Sequence, residues 1–218
     1  MKDNFGWLPL HWACYRGASL DILNLLIQSF PGSIDVEVNN KRPSVYLKES
    51  AQHDNSSVAG KSLLHMAIAS SYSAHLVMLL LEAFPESSMM RDENGKTPLH
   101  HACTTVNSMD VIMVLANANG EDIYKATDNH GRTPSHLLQP VASRRDTTGR
   151  VPLHHQAAVS KFFTVQSLLL LFSAYPESIS EPDNLKMLPF HHACLNSSLP
   201  LDVLMHFLKL YPESIKSQ

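Results

Sequence analysis

The sequence predicts an all-α repeat solenoid in which hairpin-helix-turn-helix units stack along the chain. One turn-and-helix motif recurs six times, and most copies are followed by a second, apolar helical segment. No apolar stretch approaches the roughly 18 residues that a membrane-spanning helix needs. The chain has 218 residues, of which 44% are hydrophobic and 17% charged, and this composition favours a folded chain over a disordered one.

A histidine anchors each copy of the motif. The six motif histidines are His11, His65, His100, His136, His154 and His191, at successive steps of 54, 35, 36, 18 and 37 residues. Five positions earlier stands a glycine in five copies, namely Gly6, Gly60, Gly95, Gly131 and Gly149. An acidic residue eight positions earlier and a proline two positions earlier also recur in five of the six copies. Six copies of one pattern indicate one repeating structural unit.

Each recurrent residue type suits a particular element. An Asp-x-x-Gly segment predicts a tight hairpin-like loop, because the carboxylate binds nearby amides and glycine accepts a positive φ. Proline suits the first position of a helix, and the preceding Thr97 or Thr133 can cap it. Aliphatic segments such as 21–26 and 202–208 predict the second helices, and aromatic-proline pairs predict where those helices stop.

The segment Gly95-Lys96-Thr97-Pro98-Leu99-His100-His101-Ala102 resembles the ankyrin repeat, whose signature is T-P-L-H-x-A. The resemblance implies an ankyrin-like stack whose motif histidines orient the loops through hydrogen bonds. It also implies binding of protein partners through the concave face and the hairpin tips. The aromatic-Pro-Glu-Ser sequence after several second helices departs from the family pattern, in which glycine is usual, so we expect these helices to end differently.

We expect a single solenoid over residues 1–218 with three irregularities. Its repeats are predicted at 3–34, 58–89, 92–120, 128–138 (truncated), 146–179 and 183–215. Residues 35–57 are predicted to form an inserted loop. The short step before His154 leaves room for a hairpin and part of one helix, so either the stack has a seam near 137–147 or the coding sequence has lost a segment. Lys186 replaces the glycine in the sixth copy, as an end cap allows.

Charge and cysteine content exclude several classes of protein. A net charge of −3 without a long basic run argues against nucleic-acid binding. Three cysteines do not make a disulfide framework, and no apolar leader follows Met1, so we expect the protein in the cytoplasm or the nucleus. We also expect a monomer. The histidines and cysteines recur as scaffold positions, so we expect neither a metal site nor a cofactor; a metal-responsive protein is the remote alternative.

The remaining function is recognition of a protein partner. No catalytic motif is present, and the His and Asp residues that recur do so from copy to copy and not at one place, so we expect a scaffold or adaptor and not an enzyme. The alternative is a regulatory module of a larger enzyme or transporter. The predicted partner-binding residues are Phe5, Trp12, Tyr15, Arg16, Met66, His101, Thr104, Thr105, His155 and His192. Trp12 and Tyr15 are equally consistent with covering a first repeat that has no upstream neighbour.

Overall fold

The computed structural model describes residues 7–16, 18–30, 63–70, 73–105, 108–118, 120 and 122–215. These residues form twelve α-helices and no strand, which confirms the predicted all-α solenoid. The predicted insertion at 35–57 lies outside the described residues. So do Phe5, Gly6 and Gly60, and the side chain of Tyr15.

The helices alternate between a first and a second position in the repeat. The first helices are α1 (Pro9–Arg16), α3 (Leu63–Ala69), α5 (Pro98–Thr105), α8 (Pro134–Ala142), α9 (Pro152–Val159) and α11 (Pro189–Leu195). The second helices are α2 (Leu20–Ser29), α4 (Ala74–Ala83), α6 (Met109–Ala116), α10 (Val165–Ala174) and α12 (Leu201–Leu210), and α7 (Asp122–Lys125) is a single turn. Five of the six first helices begin on the predicted proline, whose missing N–H would have had no partner there.

The motif histidine closes the start of its own helix. In five copies its Nδ1 accepts a hydrogen bond from the backbone N–H three residues earlier, as His100 does from Thr97 at 3.2 Å. The histidine thus satisfies an amide that the helix leaves open. This explains how helices preceded by Leu8, Val151 or Leu188 begin without a capping side chain.

The aromatic-proline pairs end the second helices as predicted. At Phe84, Tyr175 and Tyr211 the backbone leaves the helical conformation, and the next proline opens a short 3-10 helix: Pro85–Met89, Pro176–Ile179 and Pro212–Ile215. The serine three residues after each aromatic donates its hydroxyl to the aromatic residue's carbonyl at 2.6 to 2.7 Å. A hydroxyl-closed turn therefore stands where a glycine usually ends such a helix.

The core lies between two helix layers. The first helices α1, α3, α5 and α8 pack in succession, and α9 packs on α11. In the other layer α4, α6, α10 and α12 pack in succession. Alanines occupy the close contacts between first helices: Ala67, Ala102 and Ala193 are at most 2% exposed. Small side chains let neighbouring helices approach closely, as the sequence predicts.

The fourth copy contains a whole first helix, where only part of one helix was predicted. Its first helix, α8, is complete at nine residues, and the chain then enters the next hairpin without forming a second helix. Helix α10 packs on both α8 and α6, so it takes the place of the missing helix. Asn117, after α6, donates to the Phe162 carbonyl at 3.0 Å and accepts a hydrogen bond from the Thr164 hydroxyl. Helices α8 and α9 touch each other only slightly, so the first-helix layer is interrupted between them.

Candidate protein-binding surface

Four hairpins, numbered by their repeats, precede the later first helices. They are hairpin 3 (residues 92–96), hairpin 4 (128–132), hairpin 5 (146–150) and hairpin 6 (183–187). In each, one carboxylate oxygen of the leading aspartate accepts from two backbone N–H groups, as Asp92 does from Asn94 and Lys96, both at 2.9 Å. The fourth residue has a positive φ, 72° at Gly95, as the Asp-x-x-Gly pattern predicts.

In three of these aspartates, the second carboxylate oxygen accepts a hydrogen bond from Nε2 of the histidine that directly follows the motif histidine. The contacts are Asp92–His101 at 2.9 Å, Asp146–His155 at 2.8 Å and Asp183–His192 at 2.9 Å. Asp128 lacks such a histidine because Leu137 occupies that position, and it pairs with Arg132 at 2.8 Å. The sequence spacing of nine residues between acid and histidine is the signal that identifies these pairs.

These contacts keep the hairpin carboxylates ionised. At Asp183 burial favours a higher pKa, but hydrogen bonds from Met187, His192, Arg150 and Leu185 outweigh it and lower the pKa. At Asp128 the same balance, with Arg132 as the main donor, lowers the pKa to about 2. The hairpins are therefore charged loops whose acids are already paired within the solenoid.

The other ring nitrogen of the motif histidine joins neighbouring repeats. Because a backbone N–H donates to Nδ1 in the five copies above, the ring proton there lies on Nε2. Nε2 of His100 donates to the Arg132 carbonyl at 3.0 Å, and Nε2 of His154 donates to the Met187 carbonyl at 3.2 Å; each carbonyl is the last of the following hairpin. Nε2 of His65 lies 3.0 Å from the Lys96 carbonyl. Burial lowers the pKa of His100 and of His154, which keeps both rings neutral. His100 and His154 therefore each join the start of their own helix to the following hairpin.

Two pairs of hairpins are also held by an asparagine. Asn129 of hairpin 4 donates its backbone N–H to the Asn94 carbonyl and its side-chain amide to the Glu93 carbonyl, both at 3.0 Å. Asn184 of hairpin 6 repeats the two contacts on hairpin 5, at 3.0 and 3.2 Å. A Cβ built on Gly95 would lie 2.3 Å from the Oδ1 of Asn129. Glycine is therefore required there by contact as well as by φ.

Three of the predicted binding residues are buried, although the sequence pattern predicts an outward-facing row. Met66, His101 and His192 are 5%, 8% and 4% exposed. The two histidines turn onto their hairpin aspartates, and Met66 lies in α3 within an unbroken run of buried residues. These three residues offer little surface to a partner in this structure.

The other described candidates are accessible. Arg16, Thr104 and Thr105 are exposed, and Trp12 and His155 are half-buried. The Trp12 ring lies 4.8 Å from the ring of the buried Trp7, so part of its surface covers the first repeat. The alternative that we left open for Trp12 thus has a structural basis.

Two accessible apolar residues were missed by the sequence analysis. Val159 and Leu195 are 78% and 73% exposed. Val159 lies five residues after its motif histidine, and Leu195 lies four residues after its own. The same two positions hold Thr104 and Thr105 in the third copy, and Arg16 holds the fifth position in the first copy. We call these five residues the first-helix row. The register from the motif histidine is the signal that would have identified Val159 and Leu195.

The described ranges also show how the thiols and the common metal-ligating side chains are placed. No group of three His, Cys, Asp or Glu side chains among those residues could hold a metal ion. The three cysteines are free, and burial raises the pKa of Cys14 to about 12. In the same part of the chain no helix is long and apolar enough to cross a membrane.

Comparison with known proteins supports the resemblance to ankyrin repeats. A family model of ankyrin repeats in three copies matches residues 44–127, and a single-repeat ankyrin model matches residues 5–41. The chain is 30% identical over 138 residues to the target of rapamycin complex 2 subunit AVO2 of Saccharomyces cerevisiae. That match covers 63% of this chain and 27% of the yeast protein. The chain belongs to the ankyrin repeat family.

Proposed function

We propose that this protein is a non-catalytic adaptor that binds a protein partner along the first-helix row. The observation that carries the proposal is the contrast between Val159 and Leu195, exposed at 78% and 73%, and the hairpin acids, whose oxygens are already hydrogen-bonded within the solenoid. Exposed apolar residues on a rigid helical stack contribute binding energy when a partner excludes water from them. The hairpin acids have little capacity left for this.

The polar members of the row add specificity. Arg16 is exposed at the end of α1, and Thr104 and Thr105 are exposed at the end of α5. Each threonine hydroxyl donates to the carbonyl four residues earlier, His100 or His101, which leaves its oxygen lone pairs accessible as acceptors. We therefore propose an interface whose energetic centre lies at α9 and α11, with a polar rim toward α1.

The comparisons support an adaptor role. Ankyrin repeats are modules of protein interaction, and the yeast relative is named as a subunit of a protein complex. We extend to this chain only the general role of joining an assembly, and we propose the cytoplasm as its place of action.

The test is quantitative partner capture with the full chain carrying Val159→Asp and Leu195→Asp. A charge at each apolar centre should reduce capture of the specific partners by at least about tenfold, since about 1.4 kcal/mol corresponds to a factor of ten. The matched control is Leu201→Asp, on α12, because Leu201 is also 73% exposed but belongs to a second helix. Helical circular dichroism checks that each variant is folded.

Equal capture by the double variant and the wild type would contradict the first-helix row as the binding surface. Loss of capture with Leu201→Asp alone would move the site to the second-helix layer. Trp12→Ala in the same experiment separates a binding role for Trp12 from its contact with Trp7: reduced helicity would indicate packing, and reduced capture at full helicity would indicate binding.

A further inference from the structure

The outer edge of hairpin 4 retains the groups that hold a neighbouring hairpin elsewhere in the molecule. At hairpins 3 and 5, the carbonyls of the second and third residues accept from the asparagine of the following hairpin. The corresponding carbonyls of hairpin 4 belong to Asn129 and His130. Within the described residues neither accepts a hydrogen bond.

Two side chains at this edge also lack the neighbour that their counterparts have. His100 and His154 donate from Nε2 to the following hairpin, but the exposed His136 has no carbonyl within reach of Nε2 in the described part of the chain. Arg150 of hairpin 5 reaches Asp183 of hairpin 6 at 3.2 Å. Arg132, its counterpart, is 45% exposed and turns back to its own Asp128.

The sequence explains why the outer edge of hairpin 4 has no neighbouring hairpin. Hairpin 5 follows α8 directly, and it carries Thr147 where hairpins 4 and 6 carry an asparagine. No hydrogen bond among the described residues joins hairpin 4 to hairpin 5. A Cβ built on Gly131 meets nothing within 4 Å, whereas on Gly149 it would lie 2.4 Å from the Asn184 Oδ1.

We propose that this open edge, formed by Asn129, His130, Gly131, Arg132 and His136, binds an Asp-Asn turn presented by a partner protein. The partner's asparagine would donate its backbone and side-chain N–H groups to the two open carbonyls. The partner's aspartate would pair with Arg132, and a carbonyl beyond the turn would accept from His136. Hairpins 3 and 5 hold such turns within this chain through the same pair of carbonyls and the following motif histidine, and hairpin 5 adds the Arg150–Asp183 pair. Arg132 binds its own Asp128 through Nε and Nη2, so its Nη1 is the nitrogen that would donate to the partner's aspartate.

Hairpin 6 provides an internal comparison. It is the last described hairpin, but Lys186 occupies the glycine position with φ 63°. A Cβ at this position would meet the side chain of an incoming asparagine, as the distances at Gly95 and Gly149 show. The proposal therefore assigns the turn to hairpin 4 and not to hairpin 6. It is independent of the first-helix row and stands or fails separately.

The test uses the full chain and a disulfide-closed peptide that carries Thr-Asp-Asn-His-Gly-Arg-Thr, the sequence of residues 127–133. NMR titration should give saturable shifts at the amides of 128–132 and 136, with a low-millimolar affinity of about 4 kcal/mol. Replacing the peptide's asparagine with alanine should abolish these shifts. Shifts centred on hairpin 6, or none up to about 5 mM peptide, would overturn the proposal.

A glycine variant makes the test specific. Gly131→Ala should weaken peptide binding by about tenfold or more, because the new Cβ occupies the space of the incoming asparagine. The matched control is Gly120→Ala, at φ 59° with nothing within 4 Å of the built Cβ, which should leave the affinity within about twofold. Equal affinities for the two variants would overturn the proposal. So would broadening of the hairpin 4 amides that grows with protein concentration in the absence of peptide, because it would identify a second copy of the chain as the occupant.

Discussion

At the scale of single residues, the motif histidine makes two hydrogen bonds that require the same protonation state. Its Nδ1 accepts from the start of its own helix, and its Nε2 donates to the next hairpin, as His154 does between Val151 and Met187. Only the neutral ring with its proton on Nε2 can make both bonds. Protonation of such a ring would place a donor against the Val151 N–H and would therefore destabilise the folded state.

We predict that His154 makes the stability depend on pH between about 7.5 and 5. Its pKa in the folded state is lowered by burial and by the neighbouring His192 and Arg150, although the Met187 carbonyl and Asp183 oppose this. A lowered histidine pKa stabilises the fold fully above the unfolded value of about 6.5 and progressively less as the pH falls below it. Urea unfolding of His154→Gln should show a smaller fall in unfolding free energy over this range, after a loss of about 1 to 2 kcal/mol at pH 7.5.

The hairpin acids do not contribute to the pH dependence in this range. Their pKa values lie below the usual value near 3.8, so their contribution is lost only at a lower pH. His130→Gln is the matched control, because the exposed His130 side chain makes no hydrogen bond in the described structure. An identical pH profile for wild type and His154→Gln would show that His154 is not the titrating group.

At the scale of elements, hairpin stacking depends on a glycine in one hairpin and an asparagine in the next. Gly149 and Gly131 have nearly the same φ, 76° and 73°, but only Gly149 is contacted by the following asparagine. The two positions therefore separate the cost of a left-handed backbone from the cost of losing the contact between hairpins.

We predict that Gly131→Ala costs about 1 to 2 kcal/mol, the usual penalty for a residue with a Cβ in the left-handed region. Gly149→Ala should cost about 1 to 3 kcal/mol more, because Asn184 must also give up its two hydrogen bonds. Urea unfolding of both variants measures the difference. Equal costs would mean that the asparagine contact contributes little to the stack.

The hairpin pattern also shows how far the sequence determines the structure. The Asp-x-x-Gly turns, the proline starts and the aromatic-proline ends follow from local rules, and all three types of element are present. The Asp92–His101 pair was not foreseen, because it joins two elements that were interpreted separately. Burial of His101 follows from that pair, so its assignment to an exposed surface required knowledge of a contact across the repeat.

At the scale of the whole molecule, the fourth copy interrupts one layer and leaves the other continuous. Larger residues, Leu138 and Gln156, occupy the register that holds alanine at the close contacts between first helices, which fits the slight contact between α8 and α9. Helix α10 maintains the second layer by packing on α6. That compensation lies between residues far apart in sequence, so the 18-residue step could indicate a seam but not what closes it.

This arrangement predicts that disturbances in the hairpin layer stop at hairpin 4. Gly95→Ala should release Asn129 and accelerate hydrogen exchange in hairpin 4, while hairpin 5 keeps its protection because no described hydrogen bond joins the two. Conversely, Gly149→Ala should accelerate exchange in hairpin 6 and leave hairpin 4 unchanged. Mass spectrometry of peptides covering 127–133, 145–151 and 182–188 measures both effects. Acceleration of hairpin 5 equal to that of hairpin 4 in Gly95→Ala would instead show that the second-helix layer transmits the disturbance, and the array would then respond as one cooperative unit.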